Sequence, residues 1–392
     1  MSAQCHITRR RIGTRLATAL AVGMVFGLPA LCPTAAAAQD PNAAAARLAE
    51  LGVKVRNEPV TAETLGEVQS LSFGSAIAPQ ITDADIGLFQ FLPRLGYVAL
   101  DNTRGLTPEG LAQLADVPEL WKLSLRDSEM TDAHMAVVAG LSRVRGLDLT
   151  MNAGVTDAAM PGLAAMPALT QLTLDATGIT DAGMAALEGN RTLQILYFAR
   201  TGVTDAAFVA LGTIRTLQTL GFNDTPVNGS GFEHLGGLTG LQEMGMMNTA
   251  VDNVAVWYLT KVPSLKRLFL WDTKIGDDAL ASIGQLPALE VVYLDRTAIT
   301  DAGLASLSGL PALRTLWLNG TAVSDAGMTH LTGLQLSSIQ IGQTQVGDAG
   351  LLVLAAIPTL TSISASRSLV TAEGVAAAME VPGRNEALRI SN

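Results

Sequence analysis

The sequence predicts an α/β solenoid: a curved stack of short repeats with a parallel β-sheet on its concave face and short helices on its convex face. Three observations carry that prediction. The chain aligns with itself in rows of 24, so that "PSLKRLFLWDTKIGDDALASIGQL" (263–286), "PALEVVYLDRTAITDAGLASLSGL" (287–310) and "PALRTLWLNGTAVSDAGMTHLTGL" (311–334) are successive copies. A fixed period in the twenties marks an architecture in which each unit buries its apolar face only against its neighbours. Each copy also changes character midway, from a strand with apolar residues on one side at Leu313, Leu316 and Leu318 to a short helical segment after Ser324. Finally, the chain is rich in small and aliphatic residues, with only 4% aromatic and 15% charged.

In chain order the first element stands apart. Residues 1–38 predict a secretory signal peptide, with a basic start (Arg9, Arg10, Arg11, Arg15), an apolar run from about Leu16 to Leu28 and an A-x-A exit before cleavage after Ala38. Gly23, Gly27 and Pro29 leave that run short for a membrane anchor. Thr8-Arg9-Arg10-Arg11-Ile12 hints at twin-arginine export, but Gly13 weakens the apolar pair that usually follows, and the sequence does not decide between that route and the general one. Cys5 and Cys32 both leave with this segment, so the mature chain has no disulfide, no thiolate metal site and no thiol nucleophile. Loss of four arginines takes the formal net charge from −10 to about −14, which repels nucleic acid and anionic headgroups and favours a basic or neutral partner.

Residues 39–67 form an expected N-terminal capping region, with a helix over "PNAAAARLAELGVKV" (41–55) closing the open edge of the core. The solenoid then runs over 68–392: about twelve full copies, a degenerate one before them ("VQSLSFGSAIAPQITDADIGLFQFL") and a fragment after ("EALRISN"). Twelve strands at ~4.8 Å spacing give an inner arc of roughly 55 Å, enough for a peptide, a glycan or a protein edge.

Within a copy, the strand is followed by a fixed Thr (Thr177, Thr201, Thr225 and onward to Thr344), replaced by Ser128, Asn152 and Ser368 in three copies. All these side chains can bond backbone groups of the turn leaving the strand, which predicts a buried polar ladder. The following I/V-T/S-D-A-G reads as a helix start, with Thr or Ser as N-cap and Asp at the positive end of the helix.

This pattern resembles the leucine-rich repeat family, in the 24-residue "L..L.L..T.ITDAGL" variety of secreted bacterial proteins. It is also similar to ribonuclease-inhibitor-like and F-box-associated arrays. The resemblance covers nearly all of the mature chain. It implies a leucine-rich-repeat solenoid and a protein that works by binding, usually on the concave sheet, without naming what is bound.

In a strand reading L1-x-x-L4-x-L6-x, positions 3, 5 and 7 face the hollow side, and residues 24 apart become neighbours. Position 5 then places Phe269, Tyr293 and Trp317 in a row, with Trp271, Asp295 and Asn319 beside them at position 7 and Arg267 at position 3. Tyr197 lies in the same column, ahead of Gly221 and Gly245, which predict a notch two strands wide. Aromatic anchors with polar neighbours are what a binding hot spot needs. The same row also suits sheet support, since cross-strand aromatic pairs contribute about 0.2–1 kcal/mol each with no ligand. Trp121 and Trp257 fall elsewhere and are expected to be packing residues.

Nothing in the sequence points to catalysis. His134, His234 and His330 lie about four copies apart, so no metal site is expected, and no cofactor. The helix-start Asp residues lack calcium-loop spacing, and the sheet acids Asp148, Asp175 and Asp295 are too far apart for a glycosidase pair. There is no G-x-S-x-G, phosphate loop or H-E-x-x-H. The expectation is a monomeric, non-catalytic binding module in the periplasm or outside the cell, recognising a protein, peptide or glycan, with no nucleic acid and no span after cleavage. An envelope spacer, and less readily a ubiquitin-ligase-adaptor-like effector, are the alternatives.

Overall fold

The computed structural model describes residues 40–392, so the expected signal peptide lies outside the described residues. Fourteen three-residue strands, from Ser70–Ser72 to Arg389–Ser391, pair in strict chain order into one parallel sheet. The register joins equivalent positions of successive copies: Arg267 pairs with Val291 and Val291 with Thr315, while Phe269 pairs with Tyr293 and Tyr293 with Trp317. The degenerate first copy and the terminal fragment each supply a strand, which is why the sheet outruns the twelve full copies. The fold is a leucine-rich-repeat solenoid.

Each strand is short because only its middle residue and the next apolar position point inward. Leu268, Val292 and Leu316 are fully buried, and the residues on either side of each are half-buried on the opposite face. Beyond the strand the chain must turn at once, and one residue per copy adopts a left-handed conformation: Ala176, Arg200, Asp224, Asn248, Asp272, Arg296 and Gly320 have φ between 53° and 68°. For a residue with a Cβ this costs roughly 1–2 kcal/mol. The next residue is the buried Thr, whose hydroxyl donates to the carbonyl three positions back: Thr177 to Leu174, Thr273 to Leu270, Thr297 to Leu294 and Thr321 to Leu318, at 2.6–2.7 Å. The expected polar ladder is therefore real, and it closes the turn that the left-handed residue opens.

A second ladder runs along the helix starts. Thr180, Thr204, Thr300 and Ser324 cap their helices as the sequence predicts. The preceding Asp does more than face a helix dipole. Asp277 accepts both the backbone N–H (2.8 Å) and the hydroxyl (2.6 Å) of Thr300 in the next copy, and Asp301 does the same for Ser324. The glycine of T-D-A-G follows from this: a Cβ on Gly327 would overlap the Asp301 carboxylate, and one on Gly303 the Asp277 carboxylate. The returning segments are short α-helices, often ending in a 3-10 turn. In the glycine-rich copy at Ser230–Gly237 the whole segment is 3-10, as its low helix propensity suggests.

Sheet and helices enclose one continuous apolar core from Ala45 to Leu388. Within it Phe198, Phe208, Phe222 and Phe232 form an aromatic cluster, with ring centroids of contacting pairs 5.1–6.0 Å apart. At the N-terminal end the helix Pro41–Glu50 packs Ala44, Ala45 and Leu48 inward. It is shorter than the 41–55 expected, because Gly52 turns left-handed (φ 80°) and Lys54–Val55 pairs with Glu58–Pro59 as a small hairpin. Arg47 ties this helix to the first copy through the buried Asp85, at 2.8 Å. Trp121 and Trp257 correct an expectation. Each is 50% exposed rather than packed into the core, and Lys261 lies over the Trp257 ring.

Candidate functional site

The parallel register brings the predicted aromatic row into contact. Phe269 and Tyr293 are 4.8 Å apart between ring centroids and tilted by 42°, whereas Tyr293 and Trp317 stack flat at 3.6 Å and 6°. Strands ~4.8 Å apart bring rings at equivalent positions within stacking reach, and Tyr293 and Trp317 lean together to close the remaining gap. All three rings are half-buried, with Tyr293 and Phe269 on one side of Trp317. The other side of Trp317 borders a depression of ≈ 640 Å³ that extends over the strands Ser338–Gln340 and Ser362–Ser364.

Trp271 stands beside the row and forms one wall of the depression. The Arg296 guanidinium lies 4.6 Å from its ring centroid while pairing with Asp272. The indole N–H of Trp271 is shielded from solvent and has no acceptor. An unmet buried donor costs about 1–3 kcal/mol, so this is an unusual place for one.

Three of the predicted site residues are committed elsewhere. The Asp295 carboxylate is buried and accepts the backbone N–H of Asn319 at 2.8 Å. Burial pushes its pKa above the ordinary carboxylate range, against the opposing bonds from Asn319. Asn319 in turn accepts the Gly342 N–H at 2.8 Å and donates to Gln340 Oε1 at 2.8 Å. Both are stitches between copies, with Asn319 also bordering the depression. Arg267 bonds Glu243 on the preceding strand and so leans away from the aromatic row. Burial, and then Asp295, raise the Tyr293 phenol.

Gly221 and Gly245 do lie side by side, but the notch is not open across both strands. The Tyr197 ring leans over Gly221 and occupies the space a Cβ would take there. At Gly245 the Asn223 side chain is the nearest neighbour. The row Phe269, Tyr293, Trp317 and its flank Trp271 form one surface, which Gly245 adjoins by pairing directly with Phe269, while Tyr197 stands three strands from Phe269.

Arg296, Gln340, Gln343 and Arg367 border the depression and were missed by reading only positions 3, 5 and 7 for aromatics. Arg296, Gln343 and Arg367 occupy the left-handed position just after the strand, with φ of 53–60°. That conformation turns a long side chain back over the sheet edge, so one further column of the alignment carried the signal. Among the described residues no group of three His, Cys, Asp or Glu side chains is placed to hold a metal ion, and no helix is long and apolar enough to cross a membrane.

This fold is shared with solved structures at low sequence identity. An internalin of Listeria monocytogenes superposes with a TM-score of 0.61 at 19% identity, over 90% of this chain and 95% of that one. A leucine-rich-repeat protein of Leptospira interrogans gives 0.57 at 14% identity, over 92% and 98%. No family model and no curated protein matches the chain. At these identities the likeness establishes the leucine-rich-repeat fold.

Proposed function

We propose that the protein is an exported, non-catalytic binding module that holds its ligand on the concave sheet at Phe269, Trp271, Tyr293 and Trp317. One observation carries this reading: the flat Tyr293–Trp317 pair abuts a 640 Å³ depression on the helix-free face, in a chain with only 4% aromatic residues. Aromatic surface held rigid by stacking offers large contact area with little entropy left to lose. Arg267, Asp295 and Asn319 hold the neighbouring strands in register and so fix the platform's shape. Tyr197, Gly221 and Gly245 form a secondary contact area. The scattered histidines and the sheet acids locked into backbone bonds support a role without catalysis. The basic start, apolar run and A-x-A exit of residues 1–38 support export, with residues 39–67 capping a solenoid of 68–392.

The test is a pull-down from envelope and secreted fractions, comparing the purified protein with a Trp271→Ala/Trp317→Ala variant of matching circular dichroism. A protein or glycan retained by the first and lost by the second supports the reading. Equal retention, or none by either, returns the stacked pair to sheet support and favours an envelope spacer.

A further inference from the structure

The concave face changes its chemistry along the solenoid. Before Phe269 its columns carry Asp101, Asp148, Asp175 and Glu243; after Asp295 they carry no acid at all. The depression lies in that second stretch. Two of its bordering charges are arginines, Arg296 and Arg367, and the single acid, Asp295, is buried with its carboxylate engaged by the Asn319 N–H. Arg296 already pairs with Asp272, whereas Arg367 is exposed and has no ion pair among the described residues. Arg367 is thus the bordering cation left without an ionic partner among the described residues. The overall negative charge weighs little there, because exposed charges farther than about 8 Å are screened at physiological salt.

The remaining lining decides the kind of anion. Apart from Trp271 and Trp317 it is amide and hydroxyl: Asn319, Gln340 and neighbouring Gln and Ser side chains. A peptide docking by apolar side chains would find no aliphatic cleft there. A pyranose ring fits better, since it offers an apolar C–H face to the open side of Trp317 and a rim of hydroxyls to the amides. A carboxylate on that ring would meet the Arg367 guanidinium, whose planar fork suits bidentate pairing. The volume falls within the range of small-ligand sites.

We infer that the hollow between Trp317 and Arg367 binds an acidic saccharide, a carboxylate-bearing hexose unit stacked on Trp317 with its carboxylate on Arg367. This deepens the binding reading and rests on it, but its readout is separate.

The test is calorimetric and fluorescence titration of the purified protein with trisaccharides of galacturonate, glucuronate and mannuronate, beside neutral galactotriose and tetraglutamate. The expected result is saturable binding of at least one uronate, accompanied by a change in tryptophan emission and weakened by salt. Galactotriose should bind at least tenfold more weakly. Arg367→Gln, an exposed position that leaves the core intact, should weaken uronate binding at least tenfold, and Trp317→Leu should reduce the emission change to what Trp271 alone reports. Arg367→Lys should restore part of the affinity. Failure of all three uronates, equal binding of galactotriose, or no effect of Arg367→Gln overturns the inference. Tighter binding of tetraglutamate would overturn it in favour of an acidic peptide. A pull-down partner lost in the Trp271/Trp317 variant, alongside failure of every uronate, would sink this inference and leave the binding reading standing.

Discussion

Thr297 lies fully inside the molecule's polar ladder, donating its hydroxyl to the Leu294 carbonyl at 2.6 Å. Valine has the same shape and no donor, so Thr297→Val removes the bond without opening a cavity. The expected loss is about 1 kcal/mol, while Thr297→Ser should cost less because it keeps the hydroxyl that donates to Leu294. Denaturant midpoints of the two variants check this, and equal midpoints would mean the hydroxyl only tolerates the turn. Asp295 gives a prediction of the opposite sign. Its folded pKa is raised, chiefly by burial, so the folded state holds a proton more tightly than the unfolded one. Its contribution is most favourable below the unfolded carboxylate pKa and is lost as pH rises through the folded value. At neutral pH the charge is therefore a cost. Asp295→Asn keeps an oxygen for the Asn319 N–H, as Asn223 and Asn319 do in the same column. It should raise the thermal midpoint at pH 7, with the gain fading towards pH 4. A fall in the midpoint at pH 7 would show that the carboxylate is worth its burial.

At the scale of the element, the helix start is a joint between two copies. Asp301 receives two hydrogen bonds from Ser324, and Gly327 leaves room for the same carboxylate. Gly327→Ala should therefore destabilise by roughly 1–3 kcal/mol by overpacking, even though alanine is favoured over glycine in a helix interior by about 1 kcal/mol. Asp301→Ala should cost a similar amount through unmet donors. The double variant should cost less than the sum, because the clash and the carboxylate vanish together. Additive effects in a double-mutant cycle would break the joint as an explanation of T-D-A-G. The sequence shows this motif plainly but not its reason, since Asp301 and Ser324 meet only after the repeats stack. The same limit governed the candidate site. Strand register placed Phe269, Tyr293 and Trp317 in a row from spacing alone. The lean of Tyr197 over Gly221, the turn of Arg267 towards Glu243 and the approach of Arg296 to Trp271 depend on side-chain angles that a column of letters does not contain.

For the whole molecule, a stack whose copies touch only their neighbours should unfold from whichever end is held least well. The N-terminal end depends on one polar tie, from Arg47 on the capping helix to the buried Asp85, which also accepts the Thr82 N–H at 2.9 Å. Burial alone would raise the Asp85 pKa, but the Arg47 and Thr82 bonds outweigh it and the net direction is down. An acid with a lowered folded pKa stabilises above its unfolded pKa, and that contribution is lost as pH falls through the folded value. The cap should accordingly hold at neutral pH and loosen only in strong acid, below the ordinary carboxylate range. Hydrogen exchange would then show amides of 41–60 losing protection first as pH is lowered, after correction for intrinsic exchange, while strands near the Phe198–Phe232 cluster stay protected. Arg47→Ala should produce the same pattern at neutral pH, because leaving a buried carboxylate unpaired costs more than the pair itself contributes. Uniform loss of protection along all fourteen strands in either experiment would mean that the solenoid unfolds as one cooperative block. The cap would then be a lid on the core rather than the point where the stack opens.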